Sequence, residues 1–188
     1  MEALAPSRIT IHMGMSLDGF IARPDGRVDW METRDTFPDG VAMDKGAVAA
    51  YLAAIDCYVM GSRTYEVALG FARSGAGWAY GEKPVYVLTS RTLDRARESV
   101  SFHAGDLAAF LGTLRARHRN IWIAGGPSLA ADCLRLGLAD EISYSVLPVL
   151  IGEGVPFFDR LGRDVPLHLL EAKAWRNGIV ALRYEVQR

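Results

Sequence analysis

Long apolar runs are missing from this chain. No stretch approaches the ~20 residues that a membrane-spanning helix requires, so no membrane partner is expected. The opening residues Met1-Glu2-Ala3-Leu4-Ala5-Pro6 lack the basic flank and apolar core of a signal peptide, and a cytoplasmic chain is expected. Charge of one sign is missing too: 21 Lys and Arg stand against 22 Asp and Glu, for a net charge of -1. That removes the electrostatic footprint of a nucleic-acid binder. Cysteine is scarce, and Cys57 and Cys133 both fall inside apolar periodic segments, so they read as reduced core residues.

Several catalytic signatures are absent as well. There is no phosphate loop ending in Gly-Lys-Ser or Gly-Lys-Thr, no HExxH and no paired CxxC, and Gly126-Pro127-Ser128-Leu129-Ala130 ends in alanine where a nucleophile elbow needs glycine. His12, His103, His118 and His168 are scattered without ligand spacing, and no metal is expected.

What is present is a chain of 188 residues, half of them hydrophobic, enough for one domain spanning residues 1–188. The segment Arg8 to Gly14 reads as a strand, Asp18-Gly19 as a turn, and Arg23 to Gly40 as a loop too rich in Pro and Asp-Gly for regular structure. Loops of that length in compact domains usually bind or cover something. Ala47, Val48, Tyr51, Leu52 and Ile55 recur at helical spacing before the strand Cys57–Met60, and a helix from Ser62 precedes the strand Pro84–Thr89. Ser99–Phe102 reads as a strand, and Asp106 as the N-cap of a helix carrying Leu107, Phe110, Leu111 and Leu114. The strand Asn120–Ala124 runs into a helix opened by Pro127 and closed by Gly137, and Ile142–Ile151 forms another strand interrupted at Pro148. Asn177-Gly178 between two alternating runs is a strong hairpin signal. The sum is an α/β fold whose mostly parallel, mixed sheet ends in a C-terminal antiparallel hairpin.

In such sheets ligands bind beyond the carboxyl ends of the strands, where helix N-termini aim free N–H groups into one crevice. Three strand ends suit a nucleotide. Gly61-Ser62-Arg63-Thr64 supplies hydroxyls and a guanidinium at a helix start; Thr89-Ser90-Arg91 repeats that chemistry; Gly125-Gly126-Pro127-Ser128 lets backbone approach a pyrophosphate closely. Arginines beside hydroxyls suit a 2′-phosphate, which favours NADP over NAD. Asp18 is the nearest carboxylate for acid chemistry, although Asp-Gly also makes a simple turn. Met15, Phe20, Trp30, Tyr65 and Tyr144 are candidates for an aromatic and apolar substrate wall, each equally able to be core.

A family likeness is carried by Met15-Ser16-Leu17-Asp18-Gly19-Phe20-Ile21-Ala22, Val59-Met60-Gly61-Ser62-Arg63-Thr64-Tyr65-Glu66, Ile123 to Leu129, Asp140-Glu141-Ile142 and Pro148 to Gly154. In this order and spacing they resemble the C-terminal reductase domain of the riboflavin-biosynthesis deaminase/reductase RibD, within the dihydrofolate reductase-like superfamily. The resemblance covers nearly the whole chain. It implies a three-layer α/β/α fold, NADPH as hydride donor, a small-molecule substrate and a homodimer. By position it implies that Gly61 to Thr64 and Gly125 to Leu129 hold the pyrophosphate, Thr89, Ser90 and Arg91 the adenosine end, and Gly14, Ile21 and Ala22 the nicotinamide. It also implies a substrate such as 5-amino-6-(5-phosphoribosylamino)uracil; a non-catalytic nucleotide sensor and a weak dihydrofolate reductase are the alternatives. The first helix, from Met43-Asp44-Lys45, has no clear match to the carboxylate that fixes a pteridine in dihydrofolate reductases. Trp175 and Tyr184, near the hairpin, are the expected dimer aromatics.

Overall fold

The computed structural model describes residues 6–188. Its strands are β1 (Arg8–Ser16), β2 (Phe20–Ala22), β3 (Cys57–Gly61), β4 (Val85–Leu88), β5 (Val100–His103), β6 (Asn120–Ile123), β7 (Glu141–Leu147), β8 (Val155–Pro156), β9 (Leu167–Ala174) and β10 (Val180–Val186). The helices are α1 (Lys45–Ala54), α2 (Ser62–Arg73), α3 (Leu107–Arg115) and α4 (Pro127–Arg135). Eight strands form one sheet in the order β5-β4-β3-β6-β1-β7-β10-β9, and β2 pairs with β8 in a small second sheet. From β5 to β7 all neighbours are parallel; β10 and β9 are antiparallel. Because the chain steps outward from β3 to β5 and returns to place β6 between β3 and β1, the strand order reverses there. The crevice of the fold lies at the carboxyl ends of these three strands.

Alternation along the strands sends side chains to two separate cores. Ile9, Ile11 and Met13 of β1, Val59 of β3 and Ile123 of β6 pack with Leu111 and Leu114 of α3 and Leu129, Cys133 and Leu134 of α4. On the other face Tyr58, Met60, Val85 and Val87 pack with Tyr65 of α2. Helices on both faces of one sheet make three layers. Each fully buried Ile, Leu or Val in these clusters stabilises the fold by roughly 1.5–3 kcal/mol.

Several expectations are met in detail. The Asp106 carboxylate caps α3 by accepting from Ala109 N–H at 2.7 Å, Pro127 opens α4, and Gly137 follows it at φ +65°. β7, however, ends at Leu147, since the Val149 N–H turns back to the Leu147 carbonyl and the chain enters a loop before Pro148–Ile151 can pair. α1 also departs from an amphipathic helix: none of its side chains is buried, and Tyr51 is 46% exposed. Its Tyr51 meets His12 of β1 and Trp122 of β6, a polar and aromatic surface in place of an aliphatic one.

The long loop from Arg23 keeps no regular structure as far as Asp44, yet it is pinned to the hairpin. Phe37 N–H donates to the Arg176 carbonyl, Val41 N–H to Ala174, and Arg176 N–H to Val41, while Thr33 Oγ1 donates to the Asn177 carbonyl.

Candidate active site

Gly61 is the N-cap of α2 and Gly126 that of α4, and neither helix start has a side-chain cap. The two turns touch, with Gly61 N–H donating to the Gly125 carbonyl at 2.9 Å. The Gly125–Gly126 peptide is cis and Gly125 has φ +119°. A Cβ on Gly125 would lie 3.0 Å from Met13 Sδ and 3.3 Å from Thr64 Oγ1, so the turn has no room for a side chain. Two uncapped helix N-termini, each with unpaired N–H groups and a positive dipole end, therefore converge over a bare backbone. That arrangement fits the phosphates of a dinucleotide.

The cationic groups around it differ. Arg63 is exposed and makes no ion pair among the described residues. Arg91 is held by the Glu66 carboxylate through two bonds, of 2.6 and 3.1 Å, and the same guanidinium holds the Glu66 carboxyl below the usual carboxylate range. A 2′-phosphate at Arg91 thus meets a pre-neutralised partner. The Thr89 hydroxyl accepts from Arg91 N–H, which shapes the turn, and Ser90 is exposed beside it. Ser128 Oγ lies 3.3 Å from Asp159 Oδ2.

A cavity of about 330 Å³ opens next to β1, lined by Trp30, Glu32, Thr33, Arg34 and Asp35 of the long loop and by Leu147, Pro148 and Val149. Trp30 is 7% exposed, and its indole N–H is buried without a hydrogen-bond partner among the described residues. A buried unmade bond of this kind costs roughly 1–3 kcal/mol, which an acceptor on a ligand would recover. Consecutive residues of β1 meet the two places: Met13 Sδ lies against Gly125 of the crevice, and a Cβ on Gly14 would stand 3.5 Å from Leu147 Cδ1 of the cavity and 3.7 Å from Met31 Cε.

The profile of the RibD C-terminal domain family matches residues 7–181. The chain belongs to the RibD C-terminal domain family. Among its relatives, YwjB of Bacillus subtilis (strain 168) is 29% identical over 173 residues, covering 92% of this chain and 94% of that protein. YyaP of the same organism is 25% identical, with 96% of each chain covered. Both relatives are named as uncharacterized proteins. A protein assigned to riboflavin biosynthesis from Shewanella sp. PV-4 superposes with a TM-score of 0.79 at 27% identity, covering 96% of this chain and 99% of that one. The bifunctional diaminohydroxyphosphoribosylaminopyrimidine deaminase/5-amino-6-(5-phosphoribosylamino)uracil reductase of Thermotoga maritima gives a TM-score of 0.65 at 12% identity. It shares the fold; 97% of this chain matches 57% of that one. The fold is thus the dihydrofolate reductase-like one of RibD reductase domains.

Within this RibD C-terminal domain the expected substrate wall divides. Trp30 lines the cavity, whereas Tyr65 is fully buried in the second core, where its hydroxyl donates to the Asp94 carbonyl and accepts from Ala96 N–H. Tyr65 is therefore structural. Tyr144 lies on the opposite face of β7 from Ser145, packed on Phe157 with ring centroids 4.6 Å apart, and burial pushes its hydroxyl up to about 12. Met15 and Ile21 pack against the first core, and Phe20 and Ala22 pair with β8 next to Gly154.

Asp18 also takes a different part from the acid expected of it. Its carboxylate accepts from Gly152 N–H at 2.8 Å and from Ile151 N–H at 3.2 Å, fastening the loop after β7. The Ser16 hydroxyl and these N–H groups hold the Asp18 carboxyl below its usual range, so at neutral pH it has no proton to give. Pattern reading missed Arg34 and Asp35 as cavity residues, since single exposed positions in a loop carry no periodicity, and it missed Leu147 because a place at the end of β7 does not tell what opens beside it. The length of the loop was the available signal.

Proposed function

We propose that this RibD C-terminal domain is an NADPH-dependent reductase that delivers hydride to a C=N or C=O group of a small heterocyclic or sugar-derived substrate of the 5-amino-6-(5-phosphoribosylamino)uracil class. The observation that carries the reading is the meeting of two uncapped helix starts at Gly61 and Gly126, together with a cavity that holds an unsatisfied indole N–H. The named activity of the Thermotoga relative supports it. Gly61, Ser62, Arg63 and Thr64 with Gly125, Gly126, Pro127, Ser128 and Leu129 cradle the pyrophosphate; Thr89, Ser90 and Arg91 border the adenosine; Gly14, Ile21 and Ala22 border the nicotinamide. When bound, the reduced nicotinamide supplies the hydride. Trp30 donates to a carbonyl of the substrate, Arg34 faces its anionic arm, and Met31 with Leu147 excludes water above Gly14. Asp18 serves as the loop anchor.

Calorimetric titration with NADPH and NADH, followed by NADPH oxidation with 5-amino-6-(5-phosphoribosylamino)uracil and dihydrofolate, tests this. NADPH binding with turnover of the pyrimidine supports it. Binding without turnover favours the sensor alternative, and no binding of either cofactor overturns the reading.

The same reading includes a cytoplasmic homodimer. Tyr184 packs on Tyr144 inside the subunit and Trp175 lies under Lys173, so these aromatics serve the monomer. The better dimer surface is the edge strand β9, which exposes Leu167, Leu169 and Leu170. An unpaired, apolar edge is a liability that a second copy covers.

A further inference from the structure

One partly buried polar cluster has no part in the proposed reaction. His12 of β1 stacks on Trp122 of β6 with ring centroids 4.5 Å apart and planes 8° from parallel, and Trp122 Nε1–H donates to the His12 carbonyl at 2.6 Å. Both imidazole nitrogens are engaged: Nδ1 with Tyr51 Oη at 3.1 Å and Nε2 with Ser145 Oγ at 3.2 Å. The Ser145 hydroxyl has no other partner among the described residues.

We propose that Tyr51, His12 and Ser145 form a one-way hydrogen-bond chain that leaves the Ser145 O–H free to donate to an acceptor atom of the substrate. The proposal rests on the reductase reading for what that acceptor is: the oxygen or nitrogen of the group being reduced, or a ring carbonyl beside it.

The direction follows from donor counting. A neutral imidazole has one N–H and one bare nitrogen. With the phenol, the stronger hydroxyl donor, giving its proton to Nδ1, the ring proton sits on Nε2 and is donated to Ser145 Oγ. Ser145 then has to donate elsewhere. Burial pushes the His12 imidazole down to about 4, so the ring is neutral at physiological pH; Glu141 and Arg183 are the charged groups that act on Tyr51 from the sheet.

Placement gives the acceptor its location. In the β1–β7 register Ser145 pairs with Gly14 and Leu147 with Ser16, and residues two apart on a strand share a face. Ser145 therefore stands on the face where Leu147 lines the cavity, opposite the one position of β1 with no side chain to cover it. Two bonds in series polarise one another, so the terminal O–H is a better donor than an isolated serine. His12 and Tyr51 act as positioning residues, and Ser145 as the group that touches substrate.

Two measurements test the chain. The first is nitrogen-15 NMR of the ligand-free protein: His12 is expected as the neutral Nε2–H tautomer, and Tyr51→Phe is expected to abolish that preference. The second is calorimetry with 5-amino-6-(5-phosphoribosylamino)uracil. Ser145→Ala is expected to weaken binding about tenfold, the loss of one hydrogen bond, while Ser145→Thr, which keeps the hydroxyl, restores it. Tyr51→Phe added to Ser145→Ala is expected to cost nothing more, because the chain is already cut. A proton on Nδ1, or unchanged affinity in Ser145→Ala, overturns the proposal. If the unaltered protein does not bind this probe, the substrate reading fails and the tautomer decides the direction of the chain by itself.

Discussion

Gly40→Ala probes the close contact between the long loop and the C-terminal hairpin. Gly40 is buried and its φ lies outside the left-handed region, so alanine brings no backbone strain of its own. Its Cβ would nevertheless lie 2.6 Å from the Trp175 carbonyl carbon and 2.7 Å from Arg176 N. These are backbone atoms of the hairpin and cannot rotate away. Relief requires loop and hairpin to part by most of an ångström, which stretches the bonds from Phe37 N–H, Val41 N–H and Arg176 N–H, now 2.7, 2.9 and 3.0 Å. At about 0.5–1.5 kcal/mol net for each bond, the expected loss is roughly 2–4 kcal/mol. Gly70→Ala is the control, for it sits in α2 with nothing within 4 Å of its Cβ position and is expected to stabilise by about 0.5–1 kcal/mol. Urea unfolding of both variants reads the two signs. A Gly40→Ala loss below about 0.5 kcal/mol, the scale of ordinary surface changes, would falsify the close-approach reasoning.

Glu66→Gln releases Arg91 and is expected to raise the preference for NADPH over NADH about three- to tenfold, with Arg63→Ala acting oppositely; calorimetry that finds no change in the ratio removes both arginines from 2′-phosphate recognition. Because the folded-state pKa of Asp18 is depressed, its stabilising effect is present above the unfolded value of about 4 and is lost as pH falls through the folded value. Asp18→Asn should therefore be less stable than the unaltered protein at neutral pH and converge with it in acid, and a pH-independent gap in urea midpoints speaks against the loop anchor. Burial pushes the Cys57 and Cys133 thiols up to about 12, so iodoacetamide should label neither near pH 8 until urea is added, and labelling of the native protein contradicts their core placement. Light scattering should give twice the 20.6 kDa of one chain, and Leu169→Glu on the exposed edge should return it to one; a monomer at micromolar concentration withdraws the dimer.

The layers and the crevice are legible in the sequence, because they follow from local rules. Alternation at Ile9, Ile11 and Met13 names a strand face, Asp106 and Pro127 name helix starts, and Asn177-Gly178 names a hairpin, each from residues within one turn of one another. The phosphate-fitting turns at Gly61 and Gly125 were legible for the same reason: a strand, a glycine and a helix start are consecutive in the chain. Side-chain roles set by partners distant in the chain were not. Asp18 is an anchor because Ile151 and Gly152 come to it; Tyr65 is core because the segment Asp94–Ala96 folds over its hydroxyl. His12 looked like a lone histidine until β7 and α1 brought Ser145 and Tyr51 to its two nitrogens. Periodicity reports which face a residue occupies, since that depends on its own backbone. What meets it on that face depends on sheet order, and sheet order is decided only when the whole chain packs.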